Sequence, residues 1–368
     1  MKTTRQLHAL GQSLWLDNIS RGLLVDGTLR RYINDFSITG LTSNPTIFDK
    51  AIKDSGYYDD TIRQKIAEGK SGEALFFELA LEDLTQAADL FHPVHDATLG
   101  VDGWVSMEVS PLLANDTAST IKEAARLHAQ AHRDNLFIKI PGTRDGVPAI
   151  EESIFAGVPI NVTLLFSPEQ YIASAEAYLR GIERRIAAGL EPRVDSVASL
   201  FVSRWDVAVQ DSVPKALRNR LGIAIAKRTY KAYRDLLASP RWRKLAAAGA
   251  RPQRLLWAST GTKDPDASDT LYIEALAAPD TINTIPEKTL HAFADHGQVK
   301  GALPVDGGDA ETVLAQFTEK GVDHAALADL LQREGTVAFD KSWQELMNCL
   351  AEKSAMLKKV NQAGAGQP

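Results

Sequence analysis

A single lysine stands inside an apolar run: Leu136, Phe137, Ile138, Lys139 and Ile140, closed by Pro141, Gly142 and Thr143. This is strand composition ended by a turn. A strand covered on both faces tolerates an ammonium only when the charge is paired or lost. Burial disfavours the charged form, and a neutral amine attacks carbonyl carbon. By itself the segment fits either a nucleophile or a lysine held in a structural ion pair.

Positioning such a lysine requires a sheet, and the chain supplies short apolar runs separated by helical patterns. Candidate strands are Leu14–Asp17, Ser37–Leu41, Trp104–Glu108, Leu136–Ile140, Pro159–Leu164, Val194–Val202, Leu255–Ala258 and Thr281–Thr284. Eight strands joined mostly by helices predict an α/β chain folded as a (β/α)8 TIM barrel. Ser167, Pro168 and Gln170 predict a capped helix start, with Gly189 as its stop. Thr120 and Glu123 predict a second capping box. Phe77, Leu81, Leu84, Ala88 and Phe91 repeat at helical spacing, so residues 58–91 are read as an extra helical insertion between strands two and three. After about residue 300 only helical patterns remain, including Asp309 to Gly321 and the series Phe339, Trp343, Leu346, Leu350. The expected organisation is one barrel domain over residues 1–360, with a C-terminal helical appendage from about 300. Residues 361–368 are expected to be a flexible tail.

Functional groups of a parallel barrel gather at the C-terminal ends of its strands. Here those ends supply Asp17, the run Leu41-Thr42-Ser43-Asn44-Pro45, Glu108, Lys139, Asn161 with Thr163, Ser199 with Phe201 and Arg204, and the loop Ser259 to Lys263. Strand alternation places Phe137 and Lys139 on one face, Trp104, Ser106 and Glu108 on another strand's matching face, and Trp15 with Asp17. One lysine and two carboxylates in a confined interior pair a nucleophile with acid and base groups. A buried ion-pair cluster is the alternative for the same residues.

The segments LTSNPTIF, WVSMEV, LFIKIPGT, GVPINVTLLFS and SLFVSRWD resemble those of the transaldolase family, in the family's order, from about Leu14 to residue 300. The resemblance implies a class I enzyme of the pentose phosphate pathway that moves a dihydroxyacetone unit between sugar phosphates, with no cofactor and no metal. It implies that Lys139 forms the Schiff base and that Asp17 is the acid/base for carbon–carbon cleavage. Glu108 would act through a water that Thr163 holds. Asn44, Asn161 and Ser199 would bind donor hydroxyls, and Arg204 the phosphate. The pattern departs from the family after strand seven, where many members carry an arginine and this chain reads Ala258-Ser259-Thr260-Gly261-Thr262-Lys263. Lys263 and Ser259 are the expected substitutes, although lysine lacks the arginine fork. Phe201, on the face of Ser199, is expected to keep water from the enamine. Two rivals remain: a fructose 6-phosphate aldolase, which releases free dihydroxyacetone, and a non-catalytic sugar-phosphate binder.

Composition narrows the remaining classes. The chain has 368 residues, 44% of them hydrophobic and 24% charged, with a net charge of −6. No basic run points to nucleic acid or to an anionic membrane. Met1 to Leu10 lacks the apolar core of a signal peptide, and no run has the length of a membrane span. The one cysteine, Cys349, excludes internal disulfides and cysteine metal sites. A cytoplasmic setting fits, a homodimer is an allowed assembly, and no fused isomerase domain is expected in the short C-terminal segment. His128 and His132 have i, i+4 spacing but lack an HExxH glutamate, and are read as a solvated face. His92 and His95 flank Pro93 in what reads as a loop. The Ser259–Lys263 loop lacks P-loop spacing, and Trp257 reads as packing.

Overall fold

A computed structural model describes residues 2–364. Its eight strands are β1 (Ser13–Asp17), β2 (Ile38–Thr42), β3 (Trp104–Glu108), β4 (Leu136–Pro141), β5 (Ile160–Leu165), β6 (Ser196–Phe201), β7 (Arg254–Ala258) and β8 (Thr281–Ile285). All neighbouring pairs are parallel, and β8 closes on β1. The expected (β/α)8 barrel is therefore the observed one, with each strand within about two residues of its expected bounds.

Alternation sorts the strand residues as the pleat requires. Leu136, Ile138 and Ile140 join the large core between sheet and helices, whereas Phe137 joins the barrel interior with Trp15 and Trp104. Phe137 stacks on Trp104 at 4.0 Å between centroids and tilts against Trp15 at 6.1 Å. Aromatic rings thus fill an interior that barrels commonly fill with branched aliphatic residues. Gly40 makes room for them. A Cβ built there would lie 2.7 Å from the Trp104 carbonyl oxygen and from the Trp15 ring.

The segment between β2 and β3 carries three helices, Pro45–Lys53, Asp59–Ala67 and Gly72–Ala97, rather than one long run. Pro93 lies inside the last of these, near its end, so His92 and His95 are helical and not in a loop. A proline there removes one backbone hydrogen bond from the helix ladder. The helix after β3 starts a turn earlier than expected, at Thr117. Asp116 caps it by accepting from the Ser119 amide, while Thr120 donates to the Leu113 carbonyl. Ser167 caps the helix Pro168–Ala187 as expected, but Gln170 reaches the Phe166 amide, not that of Ser167. This closes the turn one residue further back. No group of His, Cys, Asp or Glu able to hold a metal occurs among the described residues. His132 ends its helix in the left-handed region. No helix among the described residues is long and apolar enough to cross a membrane.

The C-terminal segment folds as the helix Ala310–Thr318 and one long helix, His324–Gly364. The long helix lies along Pro45–Lys53 and crosses the C-terminal mouth of the barrel. Trp343 is its main anchor: the buried indole packs against Phe76 and Phe77 and donates to Glu73 at 2.9 Å. Of the expected tail, residues 361–364 continue this helix and 365–368 lie outside the described residues.

Candidate active site

The register of the strands builds the centre of the site. β3 against β4 sets Glu108 level with Lys139, and β4 against β5 sets Lys139 level with Asn161. Lys139 is 6% exposed. Its Nζ lies 2.6 Å from Glu108 Oε1 and donates to the Ser43 carbonyl at 3.0 Å. Glu108 Oε2 and Thr163 Oγ1 are buried without a hydrogen-bond partner among the described residues. Such groups cost about 1–3 kcal/mol unless a partner arrives.

Asp17 ends β1 and accepts from Thr42 Oγ1 at 2.8 Å, and Thr42 in turn meets Thr284 Oγ1 at 2.6 Å. Burial pushes the Asp17 carboxyl above its usual range, against the pull of Lys139, Thr42 and Lys263. Burial also raises Glu108, again opposed by Lys139. Both acids hold their protons more tightly than free carboxylates do, beside an amine that must change its own protonation to react.

A cavity of about 400 Å³ opens over these groups at the C-terminal mouth. Nine of the eleven expected site residues line it: Asp17, Asn44, Lys139, Thr163, Ser199, Phe201, Arg204, Ser259 and Lys263. Glu108 and Asn161 do not line it; they stand behind. Asn161 is fully buried, donating to Ser106 Oγ at 3.1 Å and accepting from Ser199 Oγ at 2.7 Å. Its amide therefore orients Ser199. Asn44 has a local task as well. It caps the helix Pro45–Lys53, its Oδ1 accepting from the Ile47 amide, with Pro45 in the first turn. The Asn-Pro pair is thus a helix start whose capping residue, Asn44, also lines the cavity.

The cationic end of the cavity is formed by Arg204 and Lys263. Arg204 is half-buried at the start of the helix Ser203–Val209, its guanidinium over the Phe201 ring at 5.3 Å. Burial pulls its pKa down, and Glu334 partly offsets this. Neither Arg204 nor Lys263 forms an ion pair among the described residues, so both charges are available to an anion. Two non-glycine residues by the cavity have left-handed backbones, Leu164 at φ 60° and Ser259 at φ 55°. Such conformations cost about 1–3 kcal/mol and concentrate at functional sites. The Ser259 hydroxyl is held by Ser203 Oγ at 2.8 Å.

The site also contains groups that the sequence did not single out. Thr42 sits within the LTSNP run and could have been found by asking what orients Asp17. Phe339 and Ser342 come from the C-terminal helix, where helical periodicity gave Phe339 only a packing role and Ser342 none.

Comparison with known proteins shows the family. The family described as transaldolase/fructose-6-phosphate aldolase matches residues 14–350. The chain belongs to that family. A transaldolase of Parafrankia sp. (strain EAN1pec) is 44% identical over 362 residues, covering 96% of this chain and 98% of the relative. One of Arthrobacter sp. (strain FB24) is also 44% identical, over 367 residues, covering 97% and 99%. "Transaldolase 2" of Nostoc punctiforme is 40% identical over 375 residues, covering 96% and 98%. The family match to this transaldolase-family enzyme thus takes in all eight strands and the long C-terminal helix up to residue 350.

Proposed function

We propose that the chain transfers a dihydroxyacetone unit through a Schiff base on Lys139. The donor is a ketose phosphate, sedoheptulose 7-phosphate or fructose 6-phosphate. The acceptor is an aldose phosphate, glyceraldehyde 3-phosphate or erythrose 4-phosphate. The observation that carries this reading is the buried Lys139 amine with Glu108 at 2.6 Å and Asp17 in the same cavity.

The steps follow from these groups. Glu108 takes a proton from the Lys139 ammonium, and the free amine adds to the ketose carbonyl. Loss of water gives an iminium. That water departs with help from Glu108 and Thr163, whose unpartnered oxygens face this chemistry. Asp17 then removes the proton of the donor hydroxyl as the adjacent carbon–carbon bond breaks. The bonding electrons pass to the iminium nitrogen, leaving an enamine on Lys139 and a free aldose phosphate. An acceptor aldehyde reverses the sequence. Asn44, Asn161 and Ser199 hold donor hydroxyls, with Asn161 also accepting from Ser199, and Arg204 with Lys263 and Ser259 receives the phosphate. We read the chain as one barrel domain with a helical appendage, working in the cytoplasm in the non-oxidative pentose phosphate pathway without a cofactor.

The test is borohydride reduction after mixing with fructose 6-phosphate, followed by peptide mass mapping. A reduced three-carbon adduct on Lys139 is expected. No adduct on any lysine overturns the reading and favours a sugar-phosphate binder. Product analysis with and without acceptor then separates transfer from aldolase-type release.

A further inference from the structure

We propose that Phe339, on the C-terminal helix, is a specificity-determining residue that roofs Lys139 and decides whether the three-carbon unit is transferred or lost to water. The inference rests on the Schiff-base reading above. Its ring centroid lies 6.0 Å from Lys139 Nζ. Phe339 lines the cavity together with its exposed neighbour Ala338, and Val337, two residues back, is 67% exposed. Phe339 thus puts a half-buried apolar ring on the cavity wall beside the reactive nitrogen. Phe201, the ring expected from sequence, has other neighbours. It packs against Phe166 at 5.4 Å and supports the Arg204 guanidinium at 5.3 Å.

A roof must be fixed in place, and the same helix is latched to the strand ends that carry the chemistry. Gln332 Nε2 donates to the carbonyls of Gly142 and Leu164, both at 3.0 Å. These lie just past Lys139 on β4 and Thr163 on β5. The left-handed backbone of Leu164 coincides with the break in the β5–β6 register. At Gly335 the helix comes close enough that a Cβ would meet Leu164 Cδ2 at 3.0 Å and Arg204 Nη1 at 3.4 Å. Ser342 meets Thr46 at 2.9 Å, and the Lys353 ammonium binds the Ile52 carbonyl at 2.6 Å. The ring is therefore held over Lys139 from both sides.

The step it suppresses is defined. The enamine carbon takes a proton from water and becomes an imine. The hydroxide left behind adds to the imine carbon, the carbon–nitrogen bond breaks, and the amine recovers a proton. One water is consumed in all, and free dihydroxyacetone leaves. An apolar ring that excludes water slows the first of these events and leaves the acceptor aldehyde to react.

The experiment compares wild type, Phe339→Ala and Phe339→Leu. Free dihydroxyacetone and transfer product are measured at fixed acceptor, alongside borohydride trapping on Lys139. The ratio of release to transfer should rise about tenfold in the alanine variant and less in the leucine variant, which keeps part of the cover. The adduct should still form on Lys139. A ratio unchanged in both variants, with the adduct intact, overturns the role of Phe339 and leaves the Schiff-base reading standing. Absence of the adduct in wild type overturns both. The leucine variant, close in volume, keeps the comparison valid if the alanine variant loosens the helix.

Discussion

Glu108 and Lys139 are cross-strand neighbours: the β3–β4 register sets them level, and their charged ends meet at 2.6 Å inside the barrel. The pair settles two needs at once. It compensates a buried ammonium, and it puts a proton acceptor of raised pKa against the amine that must lose a proton. Glu108→Gln keeps the shape and removes the acceptor. Adduct formation on Lys139 should slow by about 10²–10⁴-fold. Single-turnover trapping with borohydride checks this, and an unchanged rate would exclude Glu108 from proton transfer.

The pH profile should carry the mark of Asp17. Its carboxyl lies above its ordinary value of 3.8 because it is buried. Cleavage needs it ionised, so kcat/KM should fall as pH drops, on a limb displaced upward from the free aspartate range. The sign follows from the direction of the shift: a raised pKa means protonation, and loss of the base, at higher pH. Kinetics between pH 4 and 8 would show it. A limb at or below 3.8 would contradict the role.

At the phosphate end, Arg204 and Lys263 differ in kind. Arg204 offers a planar fork and Lys263 a point charge. Arg204→Ala should raise KM for fructose 6-phosphate by about 10–100-fold, the range of one or two charged hydrogen bonds. Lys263→Ala should raise it less. Both variants should narrow the preference for phosphorylated over unphosphorylated ketose. A preference that stays constant would place the phosphate elsewhere.

Phe201→Tyr puts a hydroxyl beside Ser199 on the cavity wall. It should bring ordered water nearer the enamine and raise donor hydrolysis relative to transfer. The readout is free dihydroxyacetone per transfer product, and equality with wild type would remove Phe201 from this role. Because Phe201 also supports Arg204, KM for the phosphate should be followed in the same assay.

Stability has a separate pH signature at Asp206. This buried carboxyl accepts from the Leu221 amide at 2.9 Å and the Tyr272 hydroxyl at 2.8 Å, yet burial still pushes it up to about 6. The folded state therefore binds the proton more tightly than the unfolded chain. Stability from this group is full below about pH 4 and is lost as pH rises through about 6, on the order of 3 kcal/mol in all. Asp206→Asn should flatten that slope in denaturant titrations at pH 4.5 and 7. An identical slope in the variant would assign it to other groups.

Much of this protein could be read along the chain. Largely apolar runs of four to nine residues marked all eight strands, because a buried parallel strand must be apolar almost throughout. Lys139 stood out for the same reason: a charge in such a run violates the pattern that burial imposes. Asp17, Glu108, Asn44 and Arg204 were legible because they end strands or start helices, where local composition changes. Local signals misplaced several features, two of them at helix ends. A stronger cap at Asp116 pre-empted Thr120, and Pro93 was tolerated near a helix end that reads as a loop.

What only the tertiary structure decided are relations between distant segments. The register that joins Glu108 to Lys139 depends on how the barrel closes, and no spacing in the sequence encodes it. Asn161 was expected to touch substrate, and only closure shows that it is fully buried with its carbonyl accepting from Ser199. Phe339 read as an ordinary position on an amphipathic helix, and Gln332 carried no signal at all. They reach Lys139, Gly142 and Leu164 only because Trp343 and Lys353 pin that helix across the barrel mouth. Hydrophobic periodicity records that a face is covered; which group covers it is set by packing between elements far apart in the chain.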